Sequence, residues 1–136
     1  MEVTGVYHAY GRRAVLGGVD LRLRPGVLAG IVGENGAGKT TLLRILSGEL
    51  APDRGTVRHD GGFGYCPHAA VLMLNEPYQG FDWETYQRFW DLATRLREDG
   101  RSVLVVSHLA YDAERLDTLW RLDGGRVHGQ ITEPTA

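Results

Sequence analysis

The apolar positions of the chain fall into short runs that alternate with helix-prone segments. Residues 27–32, 71–74 and 102–106 are almost entirely apolar, as expected for buried strands. Residues 40–46 are helix-prone, and within residues 83–99 large apolar side chains recur at spacings of three and four, which predicts an amphipathic helix. Strands that alternate with helices predict an α/β fold with a parallel sheet.

The first thirty residues have a different pattern, in which short β-prone segments are separated by turn residues. Residues 3–7 and 19–23 are predicted strands, and the second of them alternates apolar and polar side chains. Turn-forming residues occupy positions 10–13, 17–18 and 25–26. Short strands joined by short turns predict an antiparallel sheet on the N-terminal side of the fold.

The remaining segments add further short elements. Residues 63–66 are a predicted strand, and residues 110–116 are a predicted short helix. Residues 119–122 and 126–128 flank an Asp-Gly-Gly sequence, which is a hairpin turn signal. An antiparallel pair of strands is therefore expected after the last helix.

Composition limits the class of protein. The chain has 136 residues, a formal net charge of −2 and a hydrophobic content of 43%. We expect one globular domain over residues 1–136, and this charge gives no reason to expect nucleic-acid binding. The single cysteine, Cys66, excludes an internal disulfide and is consistent with a reducing cytosol. No apolar run approaches the roughly 18 residues of a membrane span, and no signal sequence is present, so a cytoplasmic location is expected.

A glycine-rich segment comes after the first long apolar run and precedes the first helix. Its sequence is Gly33-Glu34-Asn35-Gly36-Ala37-Gly38-Lys39-Thr40-Thr41. This fits the pattern Gly-x-x-x-x-Gly-Lys-[Ser/Thr] of a phosphate-binding P-loop, in the required order of strand, loop and helix. The glycines let successive backbone N–H groups face a phosphate, and the helix N-terminus adds its positive end. We therefore predict a nucleotide triphosphate site in which Lys39 binds the β- and γ-phosphates and the Thr40 hydroxyl binds Mg²⁺.

Two other predicted strands end in residues that are suitable for hydrolysis. The run at 71–74 is followed by Asn75 and Glu76, and the run at 102–106 is followed by Ser107 and His108. In α/β proteins ligands bind beyond the carboxyl ends of parallel strands. Glu76 is therefore a candidate to polarise the attacking water, and His108 is a candidate to hydrogen-bond the γ-phosphate or that water.

Taken together, these motifs resemble the ATP-binding cassette (ABC) ATPases, the nucleotide-binding subunits of ABC transporters. Residues 33–44 are similar to the Walker A segment of that family, 72–77 to its Walker B segment, 80–82 to its D-loop and 105–108 to its switch-histidine segment. Tyr10 falls where the family places an aromatic residue that stacks on adenine. The resemblance implies a P-loop NTPase fold that binds ATP, with Mg²⁺ as cofactor and Glu76 and His108 as the catalytic residues.

The sequence departs from the family pattern at three points. Asn75 replaces the Walker B aspartate that supports Mg²⁺, so weaker metal binding and slower turnover are expected. His68 occupies the place of the family's Q-loop glutamine, and His68 and Asn75 are further candidates for the metal site. The helical subdomain with the Leu-Ser-Gly-Gly-Gln signature is missing between these two positions. A homodimer of this chain could not close its ATP sites against that signature.

Two hypotheses are consistent with this pattern. In the first, the chain is a shortened ATP-hydrolysing subunit of an ABC transporter with impaired hydrolysis, whose partners are a membrane-spanning subunit and a second ATP-binding subunit at the inner face of the membrane. In the second, it is a non-catalytic nucleotide-binding or regulatory module, or a degenerate remnant. A small-molecule kinase is disfavoured, because the sequence offers no clear lid segment. Turnover that depends on Glu76 would distinguish the first hypothesis from the second.

Overall fold

The chain forms two β-sheets and two α-helices in a computed structural model that describes residues 1–34, 36–58, 71–75, 80, 82–107 and 113–132. The strands of the described part are β1 (Glu2–Tyr10), β2 (Arg13–Arg22), β3 (Leu28–Val32), β4 (Arg54–Arg58), β5 (Val71–Asn75), β6 (Ser102–Ser107), β7 (Thr118–Asp123) and β8 (Arg126–Thr132). The helices are α1 (Lys39–Leu46), α2 (Trp83–Glu98) and a short 3-10 turn at Ala113–Arg115.

The larger sheet has the strand order β5-β6-β3-β7-β8. Strands β5, β6, β3 and β7 run parallel, and β8 pairs with β7 in the antiparallel direction. The parallel core and the final hairpin are thus as predicted. Because parallel strands end at the same edge of a sheet, Val32, Asn75 and Ser107 lie along one edge, with β6 between the other two strands.

The smaller sheet has the order β2-β1-β4, with both pairings antiparallel. This confirms the predicted antiparallel region at the N-terminal side. The prediction of a turn at residues 17–18 was wrong, because Gly17 and Gly18 lie inside β2. Here the pairing of β1 with β2 shifts in register, and Gly18 has a φ of 103°. The two glycines accommodate a β-bulge rather than ending the strand.

The centre of the larger sheet is covered on both faces, which explains why β3 and β6 are apolar along nearly their whole length. On β6, Leu104 and Val106 face the core that includes α1 and the smaller sheet. Val103 and Val105 face the second core beneath α2. All four side chains are almost completely buried. Strands of a parallel sheet are normally sandwiched in this way, and they cannot show the alternation of a half-exposed strand.

Helix α2 packs on the sheet with the apolar side that its periodicity predicts. Trp90 and Ala93 are buried, and Tyr86, Phe89 and Leu96 pack around them. No helix in the described part of the chain combines the length and the hydropathy of a membrane span. The predicted strand at 63–66 lies outside the described residues. Of the predicted helix at 110–116, the described part contains only the short 3-10 turn.

The start of α2 is capped by Asp82, whose Oδ1 accepts a hydrogen bond of 2.7 Å from the backbone N–H of Thr85. This backbone hydrogen bond, with a further one from the Thr85 side chain, lowers the pKa of the Asp82 carboxyl below its usual range. A carboxyl with a lower pKa in the folded state adds stability above its unfolded-state pKa. That contribution is lost as the pH falls through the folded-state pKa.

We expect Asp82→Ala to lower the melting temperature at about pH 7 and to have less effect at an acidic pH below the folded-state pKa of the Asp82 carboxyl. Thermal unfolding followed by circular dichroism at both pH values would measure the difference. Asp91→Ala, which removes an exposed carboxyl from the middle of α2, is the matched control and should not lower the melting temperature at either pH. Equal losses in Asp82→Ala at both pH values would contradict a role for the charged cap.

Candidate nucleotide-binding site

The loop between β3 and α1 is shaped by close contacts that only glycine tolerates. A Cβ atom on Gly33 would lie 2.6 Å from the backbone oxygen of Leu122 in β7. Gly38, the N-cap of α1, has a φ of 101° in the left-handed region, and a Cβ there would meet Val15 and Leu16 at 3.1 Å. The loop is therefore pressed between the larger sheet and β2, which holds its backbone against the start of α1.

Lys39 opens α1 and folds back across the loop. Its side chain is 8% exposed, and its ammonium group donates a hydrogen bond to the backbone oxygen of Gly33. The ammonium group thus lies at the loop rather than extending into solvent. A cation held next to a glycine-rich loop and a helix N-terminus is an arrangement that attracts a phosphate group.

The loop and the first turn of α1 form one wall of a cavity of about 410 Å³. This wall is lined by Gly36, Gly38, Lys39, Thr40 and Thr41. The other described lining residues are Tyr10, Arg13, Val15 and Asn75. The residues therefore come from the P-loop, from the β1–β2 hairpin and from the end of β5, which are far apart in the sequence.

Tyr10 lines this cavity from the end of β1. Its side chain is 46% exposed, and its hydroxyl oxygen is 3.3 Å from Oγ1 of Thr41 in α1. The ring of His8 contacts the Tyr10 ring edge-on, with 4.8 Å between the ring centroids. The tyrosine is thus held between the hairpin and the helix, while part of its ring stays open for stacking against a planar group.

Asn75 ends β5 and reaches the same cavity as Lys39 and Thr40. Its amide and the exposed Thr40 hydroxyl are neutral oxygen donors, and no carboxylate is among the described residues that line the cavity. Elsewhere in the described part, no three His, Cys, Asp or Glu side chains converge. Because Mg²⁺ in nucleotide sites is normally held by one or two carboxylates as well as phosphates, this donor set fits the metal poorly.

Of the other predicted site residues, some lie in the described part of the chain and others lie outside it. Glu34 is exposed, and its backbone oxygen accepts a hydrogen bond of 3.0 Å from the Ala37 N–H within the loop. Gly36 is exposed in the lining of the cavity. Four predicted positions lie outside the described residues: Asn35, His68, Glu76 and His108.

Arg13 was missed by the sequence analysis. It faces the cavity because it is the cross-strand partner of Tyr10, on the other side of a two-residue turn. Partners in an antiparallel pair project from the same face of the sheet. The sequence does contain an arginine three positions after Tyr10. Its place in the cavity could be predicted only if the register of the β1–β2 hairpin were known.

The family profile that the chain matches is that of ABC transporters, and the relatives that it matches are ATP-binding proteins. Residues 16–97 match the profile of the ABC transporter family. The chain is 52% identical over 74 residues to the tylosin resistance ATP-binding protein TlrC of Streptomyces fradiae, an alignment that covers 53% of this chain and 14% of that protein. It is 49% identical over 61 residues to the hemin import ATP-binding protein HmuV of Pseudomonas putida, covering 45% of this chain and 24% of that protein. The two alignments thus cover only a small part of the length of either relative, 14% and 24%.

Among solved structures, an ATP binding subunit of an ABC transporter superposes on the chain with a TM-score of 0.83. The superposition covers 96% of this chain and 89% of the other at 17% identity, which shows a shared fold. The predicted α/β P-loop fold of the ABC ATPase type is confirmed. Because the family profile spans more than half of the 136 residues, this chain belongs to the ABC transporter family.

Proposed function

We propose that the chain is an ATP-binding subunit or domain of an ABC transporter whose hydrolysis of ATP is impaired. The observation that carries this proposal is that Lys39 and Thr40 of the P-loop line the same cavity as Tyr10 and Asn75. A phosphate cradle and a partly exposed aromatic ring in the same cavity suit the phosphates and the base of a nucleotide. Family membership supports ATP as the nucleotide.

The chemistry of the P-loop residues suggests a role for each of them. The backbone N–H groups of the loop and the start of α1 would bind the phosphates, since they belong to a helix N-terminus that carries no acidic residue in its first turn. Lys39 would exchange its hydrogen bond with the Gly33 oxygen for bonds to the β- and γ-phosphates. Tyr10 would stack on the base.

Impaired hydrolysis is proposed because the cavity provides poor support for a metal. Thr40 and Asn75 would hold Mg²⁺ only through neutral oxygens, with phosphate oxygens as the other ligands. Bound Mg²⁺ supplies neutralisation of phosphate charge. Glu76 would accept a proton from the attacking water and His108 would hydrogen-bond the γ-phosphate, in roles that come from the family resemblance.

The partners of the chain are proposed from the family. They are a membrane-spanning transporter subunit and a second ATP-binding subunit, because the Leu-Ser-Gly-Gly-Gln signature that would close a homodimer's ATP sites is not in this sequence. Such an assembly would place the chain in the cytoplasm, at the inner face of the membrane.

The second candidate function is a nucleotide-binding module without turnover. Asn75 favours it, because the neutral amide stands in the cavity where the family places a metal-supporting carboxylate. Both functions require ATP to bind, and they differ only in whether the bound ATP is then hydrolysed. Turnover that depends on Glu76 separates them.

We expect the purified chain to bind ATP and to hydrolyse it slowly, and Glu76→Gln to reduce the remaining turnover about 100-fold, since general-base catalysis contributes about that factor. Steady-state phosphate release, with ATP affinity measured on the same samples, would test this. Glu49→Gln, which makes the same change at an exposed position after α1, is the matched control and should leave the rate unchanged. Binding of ATP with a rate that is the same in all three proteins would favour the non-catalytic module.

A further inference from the structure

The charges that line the cavity are all positive in the described part of the chain. Arg13 and Lys39 are its only charged lining residues there, and Asn75 adds a neutral amide. A nucleotide triphosphate brings several negative charges into this space. In most P-loop sites a bound divalent cation neutralises part of that charge, and a carboxylate holds the cation. The described lining replaces this arrangement with two protein cations and no carboxylate.

Arg13 is positioned by the hairpin that also positions Tyr10. The two residues are direct cross-strand partners at the ends of β1 and β2, separated by a tight turn in which Gly11 has a φ of 60°. Side chains of such a pair share one face of the sheet. The contact of 3.3 Å between the Tyr10 hydroxyl and Thr41 of α1 ties this hairpin to the helix that carries Lys39. Arg13 and Lys39 therefore line one cavity from two elements that are in contact with each other.

Guanidinium chemistry suits the role of a phosphate ligand. Arginine stays charged at all physiological pH values and presents a planar set of donors that can bind two phosphate oxygens at once. Arg13 is exposed at the cavity, so binding a phosphate there does not require a buried charge to be created. The neighbouring Arg12 is equally exposed but lies in the turn and does not line the cavity.

We propose that Arg13 is a nucleotide-binding residue that neutralises phosphate charge together with Lys39, and that nucleotide binding by this chain is consequently largely independent of divalent metal. This inference rests on the proposed function, since it concerns the same cavity. The proposal adds Arg13, which lies outside the P-loop, to the nucleotide-binding residues. It assigns to this cation the neutralisation of phosphate charge that a bound divalent metal would otherwise provide. It also gives Asn75 a physical meaning, because an aspartate in its place would sit in the same cavity as Arg13 and Lys39 and would favour Mg²⁺.

The experiment is an equilibrium titration of the intact chain with ATP and with ADP, in excess Mg²⁺ and in excess EDTA. For the wild type we expect the two ATP dissociation constants to agree within about threefold. Arg13→Gln should weaken ATP binding about tenfold in EDTA, which corresponds to the loss of one charge-assisted hydrogen-bond pair. Arg12→Gln, the same change one residue earlier, should stay within about twofold of the wild type in both conditions.

Two further variants sharpen the test. Asn75→Asp should create a metal requirement, so that ATP binds about tenfold more tightly in Mg²⁺ than in EDTA. Arg13→Lys keeps the charge but loses the planar set of donors, and it should lie between the wild type and Arg13→Gln. Circular dichroism melts of each variant would show whether the fold is intact, which is expected because Arg13 and Asn75 are exposed.

The outcomes separate this inference from the proposed function. If the wild type binds ATP in Mg²⁺ but not in EDTA, or if Arg13→Gln binds ATP as Arg12→Gln does, the inference is overturned while the proposed function stands. If no nucleotide binds in any condition, the proposed function fails and the inference fails with it. Metal-independent binding that Arg13→Gln weakens and Arg12→Gln does not would support it.

Discussion

Replacing Lys39 with alanine should weaken ATP binding at least about 100-fold, because the variant loses charge-assisted hydrogen bonds to two phosphate groups. Lys39 is the only lysine of the chain. Its ammonium group already lies at the P-loop, where it donates a hydrogen bond to the Gly33 oxygen. The loss would be larger than for Arg13, since Lys39 is almost completely buried and Arg13 is exposed.

Isothermal titration with ATP would measure the effect of Lys39→Ala. Arg44→Ala is the matched control, because Arg44 is a half-buried cation on the same helix that pairs with Glu49 and does not line the cavity. The hydrogen bond to Gly33 also contributes to folding, so Lys39→Ala should lose about 1 kcal/mol of unfolding free energy. That loss is too small to unfold the chain at room temperature. An unchanged ATP affinity in a folded Lys39→Ala protein would mean that nucleotide binds elsewhere.

Replacing Gly33 with alanine should cost about 3 kcal/mol of unfolding free energy, the upper range for inserting a methyl group into a well-packed site. The new Cβ would lie 2.6 Å from the backbone oxygen of Leu122 and 3.3 Å from the Cβ of Ala37. Leu122 is buried in β7, and the Gly33 N–H is bonded to the Ser107 oxygen at 3.2 Å. Neither backbone can move without disturbing the central sheet. The loop would therefore shift, and ATP binding should weaken as well.

Urea unfolding of Gly33→Ala and of the wild type would measure this difference. Gly17→Ala is the matched control: the nearest atom to its added Cβ is Nε of the Arg126 side chain, at 4.0 Å. This control should change the unfolding free energy by less than about 0.5 kcal/mol. Equal stability of Gly33→Ala and Gly17→Ala would show that the loop has room to relax, and that the close approach to Leu122 does not constrain the P-loop.

The local elements of this protein could be predicted from its sequence because their causes are local. The P-loop needs glycines at positions where a side chain would collide or where φ is positive, and the pattern from Gly33 to Thr41 meets both requirements. The spacing of Trp90 and Ala93 identifies the buried side of α2, and Asp82 marks its start. The β7–β8 hairpin is likewise identified by the turn at Gly124 and Gly125, both with positive φ.

The features that the sequence could not determine depend on contacts between distant segments. Gly17 and Gly18 indicated a turn, yet they lie in a bulged strand because β1 pairs alongside them. The sequence did not predict that β6 lies between β3 and β5. All three strands are apolar runs of similar composition, as expected for a sheet that is covered on both faces, so their composition does not determine which of them pair. Arg13 enters the cavity only through the register of β1 with β2.

The sequence by itself thus determined the phosphate cradle and the family, since both depend on a contiguous motif and on motif order. Only the tertiary structure decided which charges surround that cradle. It brought Tyr10 and Arg13 of the β1–β2 hairpin and Asn75 of β5 to the P-loop, and it left the described lining of the cavity with two cations and no carboxylate. Electrostatic forces act through space rather than along the chain, which is why the charge that Arg13 contributes to this site could be inferred only after the strands were assembled.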